Sequence, residues 1–147
     1  QKPIIMIQSD SYSPISDCYS IIKVWKTPQN HLACVTKNHS VPYLCGYVGV
    51  NYESPLFGLP YVNYLEKVIR VHGGLTYSSS ESSLYASPDN KSVYPILEVN
   101  NLWWFGFDCG HLYDSPSVQT LDYCINECNF LSKQLTQLSY YLNSYES

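Results

Sequence analysis

Near the start of the chain, apolar and polar residues alternate with a period of two in three short runs: Ile21 to Trp25, His31 to Thr36 and Leu44 to Val50. Such alternation sends successive side chains to opposite faces of a strand. Pro28-Gln29-Asn30 and the stretch Asn38 to Pro42 separate the runs with turn-forming residues, so together they predict an antiparallel meander. Asn51 to Pro60, with Pro55 and Gly58 inside it, reads as a loop, and Pro60 suits the opening of one or two helical turns through Leu65. Lys67 to Tyr77 alternates again, which predicts a strand with Val68, Arg70 and His72 on one face and Ile69 and Val71 on the other. Gly73 and Gly74 follow His72 at once and allow a bulge or a close approach to another group.

Ser78 to Asn90 is serine-rich, ends in Pro88-Asp89-Asn90, and predicts a mobile surface loop suited to act as a lid. Val93 to Val99, interrupted by Pro95, predicts an edge strand, and Asn100-Asn101 a turn. Leu102 to Cys109 carries the clearest strand pattern: Trp103, Phe105, Phe107 and Cys109 form one face, and Trp104, Gly106 and Asp108 the other. Gly106 leaves a gap between a large ring and a carboxylate, the shape of a shallow binding floor. Beyond it, Ser115-Pro116 supply a helix cap and first position. Val118, Leu121, Ile125, Cys128, Leu131, Leu135, Leu138 and Leu142 then recur at spacings of three and four, which predicts one long amphipathic helix with Cys124 and Cys128 on its buried side. The fold class expected is α+β, a mainly antiparallel sheet covered by a long C-terminal amphipathic helix, with residues 1–147 forming a single domain.

Composition narrows the choice of partner. A formal charge of −4 argues against sequence-independent DNA binding, which needs a dense basic surface. No apolar run reaches the ~20 residues of a membrane-spanning helix, and Gln1 to Ile7 is too short for a secretory apolar region, so a soluble protein with neither DNA nor membrane as partner is expected. Self-association into a homo-oligomer stays open. A chain of 147 residues can bury a core without disulfides, so the six cysteines read as reduced, buried thiols. Neither Cys45-Gly46 nor the Cys124 to Cys128 spacing forms a zinc knuckle, and no cofactor motif is present.

Three segments carry a family likeness: Leu44-Cys45-Gly46-Tyr47-Val48-Gly49-Val50, Val71-His72-Gly73-Gly74-Leu75-Thr76-Tyr77 and Trp103-Trp104-Phe105-Gly106-Phe107-Asp108-Cys109-Gly110-His111. In that order they resemble a family of small phage and bacterial proteins to which no settled activity attaches. The resemblance spans about residues 44 to 140, including Pro55-Leu56-Phe57-Gly58 and the closing helix. It implies a role in countering host defence, in the host cytoplasm. Related sequences place a Gly-His or similar pair before the prolyl segment; Glu53-Ser54 stands there in this chain, so a histidine role at that point does not carry over.

Chemistry concentrates in His72 and His111 with Asp108 and Asp114. Two imidazoles and two carboxylates suffice for a metal or for acid–base work, since neutral imidazole binds metals and titrates near neutral pH. The plainer account is that Asp108 and His111 bond backbone at the strand-to-helix connection. Gly73-Gly74-Leu75-Thr76 offers N–H groups and a hydroxyl to a phosphate but lacks the phosphate-loop pattern, and a bulge explains it as simply. Fifteen tyrosines and three tryptophans supply rings that stack on bases or fill a core. Cys109 and Cys45 are candidate nucleophiles, with inert buried thiols the simpler reading.

Three functions follow. The first is a protein that binds a small molecule and sequesters it, a host nucleotide immune signal in the family's setting, with Arg70, His72, Gly73, Gly74, Thr76, Trp104, Asp108 and His111 as ligand contacts and no catalytic residue, metal or cofactor. The second is a hydrolase, metal-assisted or not, in which His72 and His111 bind metal or shuttle protons and Asp108 or Asp114 orients them. The third is a protein inhibitor of a host enzyme that presents a tyrosine-rich surface.

Overall fold

A computed structural model describes residues 19–38, 42–80 and 101–146. The meander is present as β1 (Tyr19–Lys26), β2 (Leu32–Asn38) and β3 (Leu44–Asn51). A short helix α1 (Leu65–Val68), a three-residue strand β4 (Tyr77–Ser79), the aromatic strand β5 (Leu102–Asp108) and a 26-residue helix α2 (Leu121–Glu146) complete the described elements. The five strands form one sheet in the order β1-β2-β3-β5-β4, antiparallel at every junction. The α+β architecture with a long C-terminal helix is therefore observed. Among the described residues no helix is long and apolar enough to cross a membrane. The expected loop from Ser78 onward is strand at Ser78 and Ser79; its remainder past residue 80 and the Val93 to Val99 edge strand lie outside the described residues.

Each face of the sheet carries a core. On one side Val35, Val48, Val50, Phe105, Phe107 and Cys109 meet Cys124, Cys128, Leu131 and Leu135 of α2, all buried. On the other, Ile21, Val24, Leu32, Cys34, Leu102 and Trp104 form a second buried cluster. Strict alternation would place Ile21 with Trp25. A bulge between Ile21 and Lys23 resets the pleat, so Ile21 pairs with Val24 on the second face while Ile22 and Trp25 turn to the first.

Gly46 sets the distance between the helix and the sheet. A Cβ there would lie 2.6 Å from the Phe107 ring and 2.7 Å from Cys128 Sγ, closer than packed atoms approach. Gly46→Ala is expected to lower stability by about 1–3 kcal/mol through overpacking; urea unfolding reads it, and an unchanged midpoint would mean α2 rides further from β3 than described.

Polar side chains of α2 also anchor the outer hairpin. Trp25 Nε1 donates to Asn129 Oδ1 at 3.1 Å. The buried Ser132 hydroxyl lies 2.6 Å from both Thr27 Oγ1 and His31 Nδ1. The β1–β2 turn itself is closed by Thr27 N–H to His31 O, with Asn30 in the left-handed region at φ 71°.

Two sequence expectations are corrected. Lys67 to Tyr77 is not a strand: it begins inside α1, turns at Gly73 and Gly74 (φ 68° and 83°), and joins the sheet only at Tyr77. Among the described residues, its 69–72 part pairs with no strand. Gln134 of α2 instead accepts from Arg70 N–H and donates to Arg70 O, both at 2.7 Å, and Glu127 Oε1 accepts from His72 N–H at 2.8 Å. Side chains of a helix thus take the place of a sheet ladder. The long helix likewise starts at Leu121 rather than Pro116. Ser115 caps one isolated turn, its oxygen atoms taking the N–H groups of Ser117, Val118 and Gln119. Thr120 caps α2, with Oγ1 accepting from Tyr123 N–H and its carbonyl from Cys124 N–H.

Candidate functional site

Where β5 ends, the chain turns through Cys109 to Ser115 before α2 begins, and the Gly73-Gly74 turn packs beside it. His111 and Asp114 are three residues apart in this connection, tied by Asp114 N–H to His111 O at 2.9 Å. The turn folds Asp114 back so that its Oδ2 accepts the His111 backbone N–H at 2.9 Å and lies 3.0 Å from His111 Nδ1. From the other side, His72 Nε2 lies 2.9 Å from both Asp114 oxygens. His72 Nδ1 is 2.7 Å from the Tyr123 hydroxyl. One carboxylate therefore bridges two imidazoles, one of which rests on a phenol of α2.

The donors can be assigned from chemistry. An ionised carboxylate only accepts, so His72 Nε2 and His111 Nδ1 carry their protons toward it, and a neutral His72 then accepts from Tyr123 O–H. Burial opposes charge on Asp114, whose side chain is 10% exposed, but the hydrogen bonds from His72 and His111 outweigh it and bring its pKa down to about 2. Tyr123 is shifted the other way, upward, by burial and by the Glu127 carboxylate. It stays a phenol near neutral pH. The set is graded in exposure: the His72 side chain is 14% exposed and that of His111 39%. Solvent reaches the centre from the His111 side.

Gly73 makes this packing possible. Its φ of 68° is left-handed, and a Cβ there would stand 2.2 Å from the His111 ring. The glycine pair is thus a seat for an imidazole rather than a phosphate cradle; Gly74 N–H is spent on Val71 O.

Of the residues expected to contact a ligand, His72, Gly73 and His111 meet at this centre, Gly74 completes the turn, and Asp108 stands at its rim. Asp108 Oδ1 accepts from Gly110 N–H at 3.0 Å and lies 3.7 Å from His111 Nδ1, so it braces the connection while Asp114 takes the central place. Arg70 is exposed, with both backbone groups engaged by Gln134. Thr76 is exposed and gives its N–H to Gly106 O. Trp104 is 1% exposed, buried in the second core cluster. Among the described residues no binding floor lies beside it. The gap at Gly106 is occupied by Tyr47 of β3, whose ring lies 2.5 Å from where a Cβ would be, and Tyr77 packs edge-on against that ring at 5.3 Å.

No protein-family model, curated protein or solved structure matches this chain. The site rests on its own geometry.

Tyr123 and Glu127 were not singled out by sequence reasoning. Their signal is positional: Tyr123, Glu127 and Gln134 fall at spacings of four and seven, a polar stripe beside the buried Cys124, Cys128, Leu131 and Leu135. Each member bonds the 70–72 segment. The Glu53-Ser54 segment is remote from this centre, since it follows the opposite end of β3 and Ser54 Oγ meets Ser139 sixteen residues along α2 from Tyr123.

Cys45 and Cys109, the two candidate nucleophiles, are buried thiols held in the protonated form. Burial pushes the Cys45 thiol up to about 12. Cys109, 3.6 Å from Cys124 Sγ, is raised strongly by that contact and by burial. Among the described residues all five cysteines are free and buried, as the composition implied.

Proposed function

We propose that the chain is a hydrolase acting on a small molecule at the His72–Asp114–His111 centre. The observation that carries this reading is the single shielded carboxylate shared by two imidazoles, with the more exposed imidazole facing solvent. Such an arrangement suits water activation: imidazoles ordered by a carboxylate take a proton from attacking water or hold a cation that acidifies it. Sequestration by ring stacking draws no comparable support, because Trp104 is buried, and the bonds of Arg70 and Thr76 go to Gln134 and Gly106 rather than to the centre.

The resemblance to small phage and bacterial proteins makes nucleotide signals the first substrate class to test, with action in a host cytoplasm. The pure protein, mixed with a panel of linear and cyclic nucleotides and then heat-denatured, is expected to release a chemically altered nucleotide, seen by mass spectrometry. Release of a bound nucleotide unchanged would sink hydrolysis and restore sequestration. A stable complex with a host enzyme, and no affinity for any member of the panel, would point to the inhibitor reading instead.

A further inference from the structure

We infer that His72 Nε2, His111 Nδ1 and one oxygen of Asp114 form a site for a single divalent transition-metal ion, of the zinc, cobalt or iron(II) class. This deepens the hydrolase reading and rests on it for its purpose, though the metal site itself is argued from geometry.

The donor set comes first. Two imidazole nitrogens and a carboxylate oxygen converge, and all three atoms lie within 4.8 Å of one another. Imidazole selects borderline metals, whereas calcium and magnesium call for sets of oxygen ligands. Tetrahedral ligands at 2.0–2.1 Å from an ion stand roughly 3.3 Å apart. The spacings to the shared oxygen, Asp114 Oδ2, are 2.9 Å from His72 Nε2 and 3.0 Å from His111 Nδ1 and need to open by only a few tenths of an ångström, with the two imidazole donors within 4.8 Å of each other. The atoms that would hold the ion are those that share protons in its absence.

The surroundings form a second, independent line. A metal-binding imidazole keeps its orientation by bonding through its other ring nitrogen. His72 does this with Tyr123, whose hydroxyl serves equally as donor to the free imidazole or as acceptor once Nδ1 carries the proton. Glu127 fixes the His72 backbone, and the His111 backbone N–H fixes Asp114. Gly73 allows the His111 ring to lie against the turn. Three protein ligands leave a coordination position, and the exposure of His111 opens it toward solvent. That is the pattern of a catalytic site, where a bound water loses its proton near neutral pH.

The test uses the full chain, stripped of metal and titrated with Zn2+ or Co2+ against a chromophoric chelator. One equivalent should bind, and Co2+ should give the visible absorption of a low-coordinate nitrogen and oxygen site. His72→Ala and His111→Ala should each abolish stoichiometric binding, and Tyr123→Phe should weaken it about 10- to 100-fold, while Glu53→Gln, an exposed change remote from the centre, keeps the one-to-one stoichiometry. Because a ligand variant can fail to fold, the wild-type protein is also followed by NMR. Added Zn2+ should shift the ring signals of His72 and His111 and leave those of His31 in place.

Absence of stoichiometric binding by the wild-type protein overturns the site. So does binding that survives loss of both histidines and disappears with Cys109→Ser, which would place the ion on the thiol pair. The two proposals fail separately: turnover by a protein that binds no stoichiometric ion removes the metal and keeps the hydrolase, whereas one bound ion with no altered nucleotide keeps the metal and removes the hydrolase.

Discussion

Asp114→Asn is expected to reduce turnover of whichever panel nucleotide the wild-type protein hydrolyses by about 10²- to 10⁴-fold, the range assigned to a positioned acid or base. The carboxylate serves both imidazoles at once, so neither His72 nor His111 keeps its alignment after the change. An amide of the same shape presents one acceptor and one donor where the site needs two acceptors. It is also a weaker ligand for a cation. The loss should fall mainly on kcat if the centre acts in the transition state, and kcat and kcat/KM should then drop together. Folding should suffer less, by about 1–3 kcal/mol for one mismatched, partly buried polar group. Turnover close to wild type in a folded Asp114→Asn protein would remove this centre from the chemistry.

How far such a centre can be read from sequence depends on where each residue lies. The β1–β3 meander, the two-faced β5 and the buried stripe of α2 follow from periodicity, because each buried face of a strand or helix meets one cluster. His72, His111 and Asp114 were legible as members of one set, and the structure brings the three together. What periodicity misjudged was partnership. Asp108, in phase with β5, looked like the carboxylate of the site, but strand phase fixes only a direction; the turn that carries His111 and Asp114 brings the other one to both rings. The Lys67 to Tyr77 alternation was genuine in part, with Ile69 and Leu75 buried and Arg70 exposed. Its hydrogen-bonding partners were helix side chains, which no local pattern announces.

The face shared by Trp104 and Gly106 failed as a binding floor for a related reason. Sequence shows that a ring and a gap lie side by side on one strand. It does not show that Tyr47 enters the gap from β3, or that Ile21, Val24, Leu32 and Cys34 close over the ring. The bulge in β1 that brings Ile21 and Val24 to the same face also breaks the alternation by which it would have been recognised.

A large pH effect on stability is expected far from the His72 centre, at His31. Burial, followed by the nearby charge of Lys26, lowers its pKa from 6.5 to about 4. The bonding around it agrees: His31 N–H donates to Thr27 Oγ1, and a ring of hydroxyls closes if Thr27 O–H donates to Ser132 and Ser132 O–H donates to His31 Nδ1. That ring needs Nδ1 unprotonated. Because the folded pKa lies below the unfolded one, the unfolded chain takes up a proton first as the pH falls. Stability is therefore complete above pH 6.5 and is lost progressively as the pH drops to about 4, by about 3 kcal/mol in all. Urea unfolding of the wild type and of His31→Gln across this range isolates the term. Glutamine can still reach Ser132 but does not titrate, so the wild type should lose about 3 kcal/mol relative to the variant on acidification. Parallel pH profiles would show that His31 takes its proton in the folded protein as easily as in the unfolded chain, and that the hydroxyl ring tolerates an imidazolium.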